Sequence, residues 1–224
     1  MKYTIFAGVN GAGKSSLYSI FKSELDLGAR INTDEIVGKN WRDEKLQIHA
    51  ARKAIEIRNF CFENQIRLNQ ETTLTGKTML KSIEKAKKIG YFINLYYMVV
   101  DSEKIAISRV NERVRNGGHG IPEEIIKKRF KESYSNLFKI LLYCDSYKIF
   151  DNTIFFNKII EKTENEVIFY DISNVNFSIT APTSDFSVGF NGVVGEQNKS
   201  ICTSASISYT IPYTTLSGFA GTTS

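Results

Sequence analysis

The segment GVNGAGKSS, residues 8–16, restricts the fold more than any other part of this sequence. It follows the apolar run YTIFA, precedes a segment predicted to be helical, and matches the pattern G-x-x-x-x-G-K-[ST]. In such loops consecutive backbone N–H groups surround phosphate oxygens, and glycines allow positive φ and a close approach to the anion. The helix that follows adds the positive end of its dipole. The segment therefore predicts a strand, a phosphate-binding loop and a helix, in that order.

The residue types of this loop predict how it would bind a nucleoside triphosphate. We expect Lys14 to reach the outer phosphates and the Ser15 hydroxyl to bind Mg²⁺. The predicted nucleotide site comprises Gly8, Asn10, Gly11, Ala12, Gly13, Lys14, Ser15 and Ser16. The expected cofactors are ATP or GTP together with Mg²⁺. The alternative is a glycine turn that matches the pattern by chance, and the strand-loop-helix context argues against it.

The composition is that of an ordinary water-soluble chain. The 224 residues are 42% apolar and 24% charged, which suffices for one good core, and no apolar run approaches the ~20 residues of a membrane-spanning helix. Cys61, Cys144 and Cys202 are scattered without CxxC spacing, which argues against a disulfide framework and a zinc site. Because the phosphate loop follows the first strand directly, we expect no signal peptide. These features predict a cytoplasmic protein without a membrane partner.

The net charge is +5, from 29 Lys and Arg against 24 Asp and Glu. A basic chain can bind nucleic acid. Much of this charge, however, lies in mixed runs such as KSIEKAKK and EEIIKKRFKE, which are typical of solvated helix faces. A polyanionic nucleotide already accounts for the excess. Nucleic acid is therefore not the expected main partner.

Strand and helix patterns alternate along residues 1–172, the predicted catalytic domain. The predicted strands are KYTIFAG, ARIN, IRLNQETTL, YFINLYYMVV, YKIFDN and EVIFYDI. The predicted helices run from Lys14 to about Leu25, from Asp43 to Asn64, from Lys77 to Lys88, onward from the capping residue Ser102, and from Pro122 to about Cys144. This order predicts an α/β fold of the P-loop NTPase type, a doubly wound and mainly parallel sheet with helices on both faces.

Residues 173–224 form a predicted tail that is rich in Ser and Thr and poor in charge. Its segment SASISYTI alternates polar and apolar residues, as a half-buried strand does. We expect this tail to be poorly ordered or β-rich.

Ligands of such sheets lie at the carboxyl ends of the strands. Besides the phosphate loop, Asp34 follows the second predicted strand, and Glu71 and Thr73 end the third. A carboxylate at this edge can accept the proton of a substrate hydroxyl, which makes Asp34 the candidate base. The alternative is that Thr33 or Asp34 caps a helix. For Glu71 the alternatives are a substrate contact and a solvent-facing strand end.

Phosphoryl transfer also requires positive charge around the transferred group. Four arginines, Arg109, Arg113, Arg115 and Arg129, flank the glycine-rich loop NGGHGI, which is suited to act as a lid. Each could instead extend its aliphatic stem to reach water. Asp101, at the end of YYMVVD, resembles a Walker B carboxylate, but a capping role beside Ser102 is the favoured interpretation.

Four segments in order resemble the zeta-toxin family of P-loop kinases, in the small stand-alone branch often labelled predicted ABC-type ATPases. They are GVNGAGKSS, INTDEI, ETTLTG and RVNERVRNGGHGIPEEIIKKRF, and the resemblance covers about residues 1–155. Family members in toxin–antitoxin pairs use ATP to phosphorylate the 3′-hydroxyl of UDP-N-acetylglucosamine. The resemblance implies a kinase of this kind and a small antitoxin as partner. The sequence has no LSGGQ-like signature, so the ABC-type label is not supported.

The resemblance also implies roles for individual residues. Lys14 and Ser15 would hold phosphate and Mg²⁺, and Asp34 would be the base. Glu71 and Thr73 match the Glu-x-Thr of the family's substrate site.

The lid departs from the family pattern. His119 stands where the toxins have an arginine, three residues before the lid proline. This position makes His119 a candidate substrate contact, and Arg129 a candidate replacement for the missing charge. Arg113 and Arg109 are both placed to match the family's other catalytic arginine, and Arg109 is assigned to the nucleotide.

The sequence therefore predicts a small-molecule kinase. Two alternatives are a nucleoside or nucleotide kinase and a P-loop regulatory module that binds nucleotide with little turnover.

Overall fold

The computed structural model describes residues 1–38, 42–164 and 166–170, together with the backbone of two short strands, 178–180 and 187–189. The strands are β1 Lys2–Gly8, β2 Ala29–Ile31, β3 Leu68–Thr72, β4 Phe92–Val99, β5 Ser146–Asp151, β6 Asn157–Lys162, β7 Val167–Phe169, β8 Ser178–Thr180 and β9 Ser187–Gly189. The helices are α1 Lys14–Phe21, α2 Thr33–Val37, α3 Glu44–Glu63, α4 Lys77–Lys88, α5 Glu103–Arg115 and α6 Glu123–Leu141.

The main sheet has seven strands in the order β2-β3-β1-β4-β5-β6-β7. Strands β1 to β5 are parallel, and β6 and β7 extend the sheet in antiparallel pairing at one edge. Because β1 lies between β3 and β4, the chain builds one half of the sheet before crossing β1 to build the other. Such a change of direction leaves a crevice at the carboxyl ends of the strands, where the phosphate loop begins. The predicted doubly wound, mainly parallel α/β fold is confirmed.

Helices cover both faces of the sheet because strand side chains alternate between them. Tyr3 of β1 meets Phe62 of α3 edge-on, with ring centroids 5.7 Å apart. Phe6 of the same strand points to the opposite face and meets Tyr18 of α1 at 5.5 Å. Strand β4 is buried along nearly its whole length, as expected for a central parallel strand that is covered on both faces.

Helix boundaries follow the predicted caps in most places. The Ser102 side chain accepts a hydrogen bond from the Ile105 N–H at the start of α5, and Gly90 follows the end of α4 with φ 86°. Helix α1 ends at Phe21, earlier than the predicted Leu25.

The cap of α2 is neither of the two residues that the sequence offered as alternatives. Asn32 has extended backbone, and its side-chain oxygen accepts a hydrogen bond from the Asp34 N–H at 2.9 Å. The alternative that Thr33 or Asp34 caps this helix is therefore wrong. Because Asn32 performs this task, the Asp34 carboxylate is free of it.

Strand β6 was not predicted from the sequence. The predicted strand EVIFYDI is present as β7 over Val167–Phe169, and its last two residues lie outside the described residues. In the predicted tail, β8 and β9 form an antiparallel pair. The segment SASISYTI lies outside the described residues. Within the described ranges, none of the helices is both long and apolar enough to cross a bilayer.

Candidate phosphotransfer site

The phosphate loop is held between β4, α5 and residue 152 by close backbone contacts. A Cβ atom on Gly8 would lie 2.4 Å from the Met98 carbonyl oxygen, and one on Gly11 would lie 2.5 Å from the Ala106 carbonyl oxygen. Both glycines have positive φ, 143° and 77°. Larger residues do not fit at either position, because the space is taken by backbone atoms and the φ angles disfavour a side chain.

The end of the loop is joined to the segment after β5. The Asn152 side-chain amide donates a hydrogen bond to the Ala12 carbonyl at 2.9 Å. Gly13, in left-handed conformation with φ 102°, precedes the first turn of α1, where Ser15 and Ser16 are exposed. The first N–H groups of a helix are free to bind an anion, so this turn continues the concave surface of the loop.

Lys14 lies over the loop and donates a hydrogen bond from Nζ to the Val9 carbonyl at 3.0 Å. Burial lowers the pKa of Lys14, and the charges of Glu71 and Asp34 act in the opposite direction. The positive charges of Arg113 and Arg129 lower this pKa further. The lysine therefore lies within electrostatic reach of both carboxylates and two of the lid arginines.

Glu71, near the end of β3, lies in the site rather than facing solvent, and its side chain is 7% exposed. The Ser15 hydroxyl donates to Glu71 Oε1 at 2.8 Å, and Arg30 Nη2 donates to Oε2 at 2.9 Å. Asn32 Nδ2 also donates to Oε2, at 3.0 Å. The carboxylate of β3 is thus bonded to α1, to β2 and to the residue that follows β2.

Arg30 is fixed from several directions at once. Its guanidinium lies 3.4 Å from the centre of the Tyr18 ring and forms hydrogen bonds with Glu35 and with Asn69. None of the sequence motifs includes Arg30. An arginine in the strand before INTDEI does not by itself indicate a site residue, because only the fold brings Arg30 to Glu71.

Asp34 points into the open cleft, with a side chain that is 60% exposed. Its Oδ2 lies 4.0 Å from Nδ1 of His119. The other ring nitrogen of His119, Nε2, donates to the carbonyl of Gly38, the C-terminal cap of α2, at 2.8 Å. His119 therefore connects the lid loop to the helix that carries Asp34.

The lid arginines separate into two groups. Arg113 Nε donates to the His119 carbonyl at 2.9 Å, and Arg129 Nη1 donates to Asn10 Oδ1 of the phosphate loop at 3.2 Å. Arg109 Nη2 instead donates to the carbonyl of Thr153, after β5, at 3.0 Å. Among the described residues, one buried nitrogen of Arg113 and one of Arg109 have no hydrogen-bond partner.

Arg129 is half-buried, and its burial lowers the pKa, while the charges of Asp34 and Glu132 raise it. Helix α6 therefore brings the charge of Arg129 to the cleft, beside Asn10 of the phosphate loop. Arg115 is exposed at the end of α5.

The turn after β3 is held in an unusual conformation. Leu74 is fully buried with φ 58°, its N–H donates to Thr72 Oγ1, and its carbonyl accepts from Asn136 of α6. Thr73 lies between Thr72 and Leu74 in the chain, and its hydroxyl oxygen is 2.9 Å from that of Thr75. A non-glycine residue at positive φ costs about 1–3 kcal/mol, so Leu74 keeps this conformation because the surrounding contacts stabilise it. The same contacts fix the position of the neighbouring Thr73.

A cleft of about 470 Å³ lies beside these groups. Its polar lining residues include Lys14, Asn32, Asp34, Gln70, Glu71 and Thr73. Its apolar lining residues, here called the apolar wall, come from α2, α3 and the segment after the lid and include Val37, Ile48, Ala51, Ile121 and Ile125. Sequence reasoning missed this apolar wall, because Ile48 and Ala51 lie outside the buried stripe of α3. A larger groove of about 660 Å³ between α5 and α6 contains none of the strand-end residues.

Asp101 is not part of this cleft. Its backbone N–H donates to Thr153 Oγ1, and that hydroxyl in turn donates to Asp151. Burial, followed by the charge of Asp151, raises the pKa of Asp101. Ser102 caps α5, as expected, and the N-cap is not Asp101, for which a capping role was the favoured interpretation.

No family model matches the chain. A curated protein of Haemophilus influenzae, described as uncharacterized, is 33% identical over 131 residues, which cover 58% of this chain and 92% of that protein. The chain belongs to the family of this Haemophilus protein. Its membership does not by itself assign an activity.

Solved structures share the fold at low sequence identity. A chain of the AvrRxo1-ORF1:-ORF2 complex has a TM-score of 0.60 and 12% identity, over 78% of this chain. The match covers 66% of that chain, slightly less than two thirds of its length. The PezAT toxin–antitoxin system of Streptococcus pneumoniae gives a TM-score of 0.49 and 16% identity, over 67% of this chain and 68% of that one. The first of these likenesses shows the fold, and neither assigns the substrate.

Proposed function

We propose that the chain is an ATP- and Mg²⁺-dependent phosphotransferase that phosphorylates a hydroxyl group of a small molecule. The observation that carries this proposal is the position of Asp34. Its exposed carboxylate lines the 470 Å³ cleft, which Lys14 also lines, and its charge partly offsets the lowering of the Lys14 pKa by burial. In this proposal Asp34 is the base, and the cleft that it lines can hold the acceptor.

In the proposed reaction, the Asp34 carboxylate accepts the proton of the acceptor hydroxyl. The hydroxyl oxygen bonds to the γ-phosphorus as the bond to the β,γ-bridging oxygen breaks, and ADP leaves with that electron pair. Lys14, Arg113 and Arg129 stabilise the negative charge on the transferred group. Arg109 and the residues of the phosphate loop hold the nucleotide.

The residues at the loop fit a bound Mg²⁺. The Ser15 hydroxyl lies beside the Glu71 carboxylate, and hard oxygen donors of these two kinds suit this ion. When bound, Mg²⁺ would neutralise charge on the β- and γ-phosphate oxygens.

The cleft supports an acceptor with both polar and apolar parts. Thr73 and His119 offer hydrogen-bonding groups in the same cleft as the apolar wall. The resemblance to zeta toxins makes UDP-N-acetylglucosamine the first acceptor to test, although His119 in place of an arginine allows a different one. By the same resemblance we propose a small antitoxin partner, and co-purification with the product of a small adjacent reading frame would test that.

The function is tested by ADP release with and without acceptors, using UDP-N-acetylglucosamine first and then nucleosides and nucleoside monophosphates. Stimulation by one sugar nucleotide supports the proposal, and stimulation by a nucleoside or its monophosphate supports a nucleoside or nucleotide kinase. Nucleotide binding without stimulated turnover would instead indicate a regulatory module.

The Asp34→Asn variant tests the mechanism on the same preparations. We expect transfer to fall ~10²-fold or more, the usual contribution of a positioned base. ATP affinity and melting temperature should change little, because Asn32 caps α2. A variant with full transfer activity would exclude Asp34 as the base and leave Glu35 or Glu71 as the candidate.

A further inference from the structure

The two oxygens of the Glu71 carboxylate have separate partners. Oε2 accepts hydrogen bonds from Arg30 and Asn32 at 2.9 and 3.0 Å. Oε1 accepts a hydrogen bond from the Ser15 hydroxyl at 2.8 Å. Oε2 is thus held by Arg30 and Asn32, and Oε1 faces Ser15, the residue whose hydroxyl the loop motif assigns to Mg²⁺.

The distance between Ser15 Oγ and Glu71 Oε1 matches the geometry of a magnesium site. Mg²⁺ binds oxygens octahedrally at 2.0–2.1 Å, so two neighbouring ligand oxygens lie about 2.9 Å apart. We infer that Ser15 Oγ and Glu71 Oε1 are neighbouring ligands of the Mg²⁺ that accompanies ATP, an inference that rests on the proposed function. Glu71 is thereby assigned to the metal, whereas the family resemblance assigns it to the substrate.

The surrounding residues hold Glu71 in the orientation that this assignment requires. A carboxylate that is 7% exposed needs charged or polar partners to replace the hydration that it loses, and Arg30 and Asn32 supply them. Arg30 is itself held by the Tyr18 ring and by Glu35. Arg30 is therefore a positioning residue that directs Oε1 toward Ser15.

Two protein ligands are too few to hold Mg²⁺ without the nucleotide. In the part of the chain that the structure describes, no group of three or more His, Cys, Asp and Glu residues could hold a metal ion. Mg²⁺ in nucleotide sites is bound by one or two protein ligands together with phosphate oxygens and water. The ion and the nucleotide should therefore bind together.

The test uses the full chain, Mn²⁺ as a spectroscopic substitute for Mg²⁺, and a non-hydrolysable ATP analogue. Electron paramagnetic resonance measures Mn²⁺ affinity in the presence of the analogue, and calorimetry measures analogue affinity with and without metal. We expect Glu71→Gln to lower Mn²⁺ affinity by ~10-fold or more. Analogue affinity without metal should be unchanged or higher, because a negative charge near the phosphates is removed.

Glu56→Gln is the matched control. Glu56 is also an ion-paired carboxylate, bonded to Lys53 of α3, but its side chain is 65% exposed and does not line the cleft. This variant should retain the Mn²⁺ affinity of the parent chain. If melting curves show that Glu71→Gln does not fold, Glu71→Asp replaces it and should lower Mn²⁺ affinity in the same way, because its carboxylate is one methylene shorter.

A double-mutant cycle with Ser15→Ala tests whether the two residues bind the same ion. The losses of Mn²⁺ affinity should be non-additive, because residues that share a partner are coupled. Additive losses, or a Glu71→Gln variant with parental Mn²⁺ affinity and a raised acceptor KM, would overturn the inference. Failure of the parent chain to bind the analogue would overturn the proposed function as well, and this outcome is seen before any variant is measured.

Discussion

At the scale of single residues, the candidate site is a balance of charges around Lys14. Burial lowers the pKa of this lysine, Glu71 and Asp34 raise it, and Arg113 and Arg129 lower it again. A bound triphosphate would place negative charge beside Lys14, Arg113 and Arg129. Its binding should be favourable because it reduces the repulsion among these cations and compensates for the hydration that they lose on burial.

Replacement of Lys14 by alanine tests this balance. We expect Lys14→Ala to lower ATP affinity by ~10-fold or more, the scale of a lost charged hydrogen bond, and to abolish transfer. The melting temperature should change little, because Lys14 is only half-buried and contributes little to the core. Lys22→Ala, an exposed lysine at the C-terminal cap of α1, is the control. A Lys14→Ala variant that bound and used ATP as the parent does would contradict the phosphate-loop assignment.

At the scale of elements, the site depends on how closely the phosphate loop packs on its neighbours. The loop contacts the backbone of β4 through Gly8 and that of α5 through Gly11. On its other side, the start of α1 is bonded to β3 through Ser15 and Glu71. Small movements of α5 should therefore change the shape of the loop and, with it, nucleotide affinity.

Two glycine variants separate backbone strain from this packing. Gly11→Ala and Gly90→Ala both place a side chain at positive φ, which costs about 1–2 kcal/mol. Only Gly11→Ala also brings a Cβ to 2.5 Å from a carbonyl oxygen, since a Cβ on Gly90 would have no heavy atom within 4 Å apart from its chain neighbours. We expect Gly11→Ala to lower the melting temperature more than Gly90→Ala and to lower ATP affinity, measured by calorimetry. Equal effects on both properties would show that α5 does not restrain the loop.

At the scale of the whole molecule, the strand order brings distant segments to one sheet edge. Ser15, Asp34 and Glu71 follow or end β1, β2 and β3, and Arg129 comes from α6. The described part of the main sheet ends with β7, whose residue Val167 is buried. The α/β domain therefore includes β7, and we propose that it does not require residues 173–224.

Two truncated chains test this proposed boundary. A chain that ends at Ile172 should melt cooperatively and bind ATP as the full chain does. A chain that ends at Thr163 should be destabilised, because it loses buried Val167 and the hydrogen bond from Tyr170 to Glu161. The measurements are thermal melting and ATP titration of all three chains. Loss of cooperative melting in the chain ending at Ile172 would show that the tail completes the core.

The sequence by itself determined the features that depend on neighbouring residues. The glycine spacing of the phosphate loop, the cap at Ser102 and the buried strand β4 follow from local backbone conformation and from apolar patterning. The alternation of strands and helices was enough to predict the doubly wound fold. Strand β6 escaped prediction because NKIIEK contains only two adjacent apolar residues, and its pairing with β5 and β7 supplies what its pattern lacks.

Only the tertiary structure decided which distant groups meet. Ser15 and Glu71 are 56 positions apart, and their hydrogen bond exists because β1 and β3 are neighbours in the sheet. The same applies to Arg30, which reaches Glu71 from β2, and to the apolar wall that Ile48 contributes to the cleft. Contacts of this kind depend on strand order and on the packing of helices across the sheet, and local sequence patterns do not encode either of these directly.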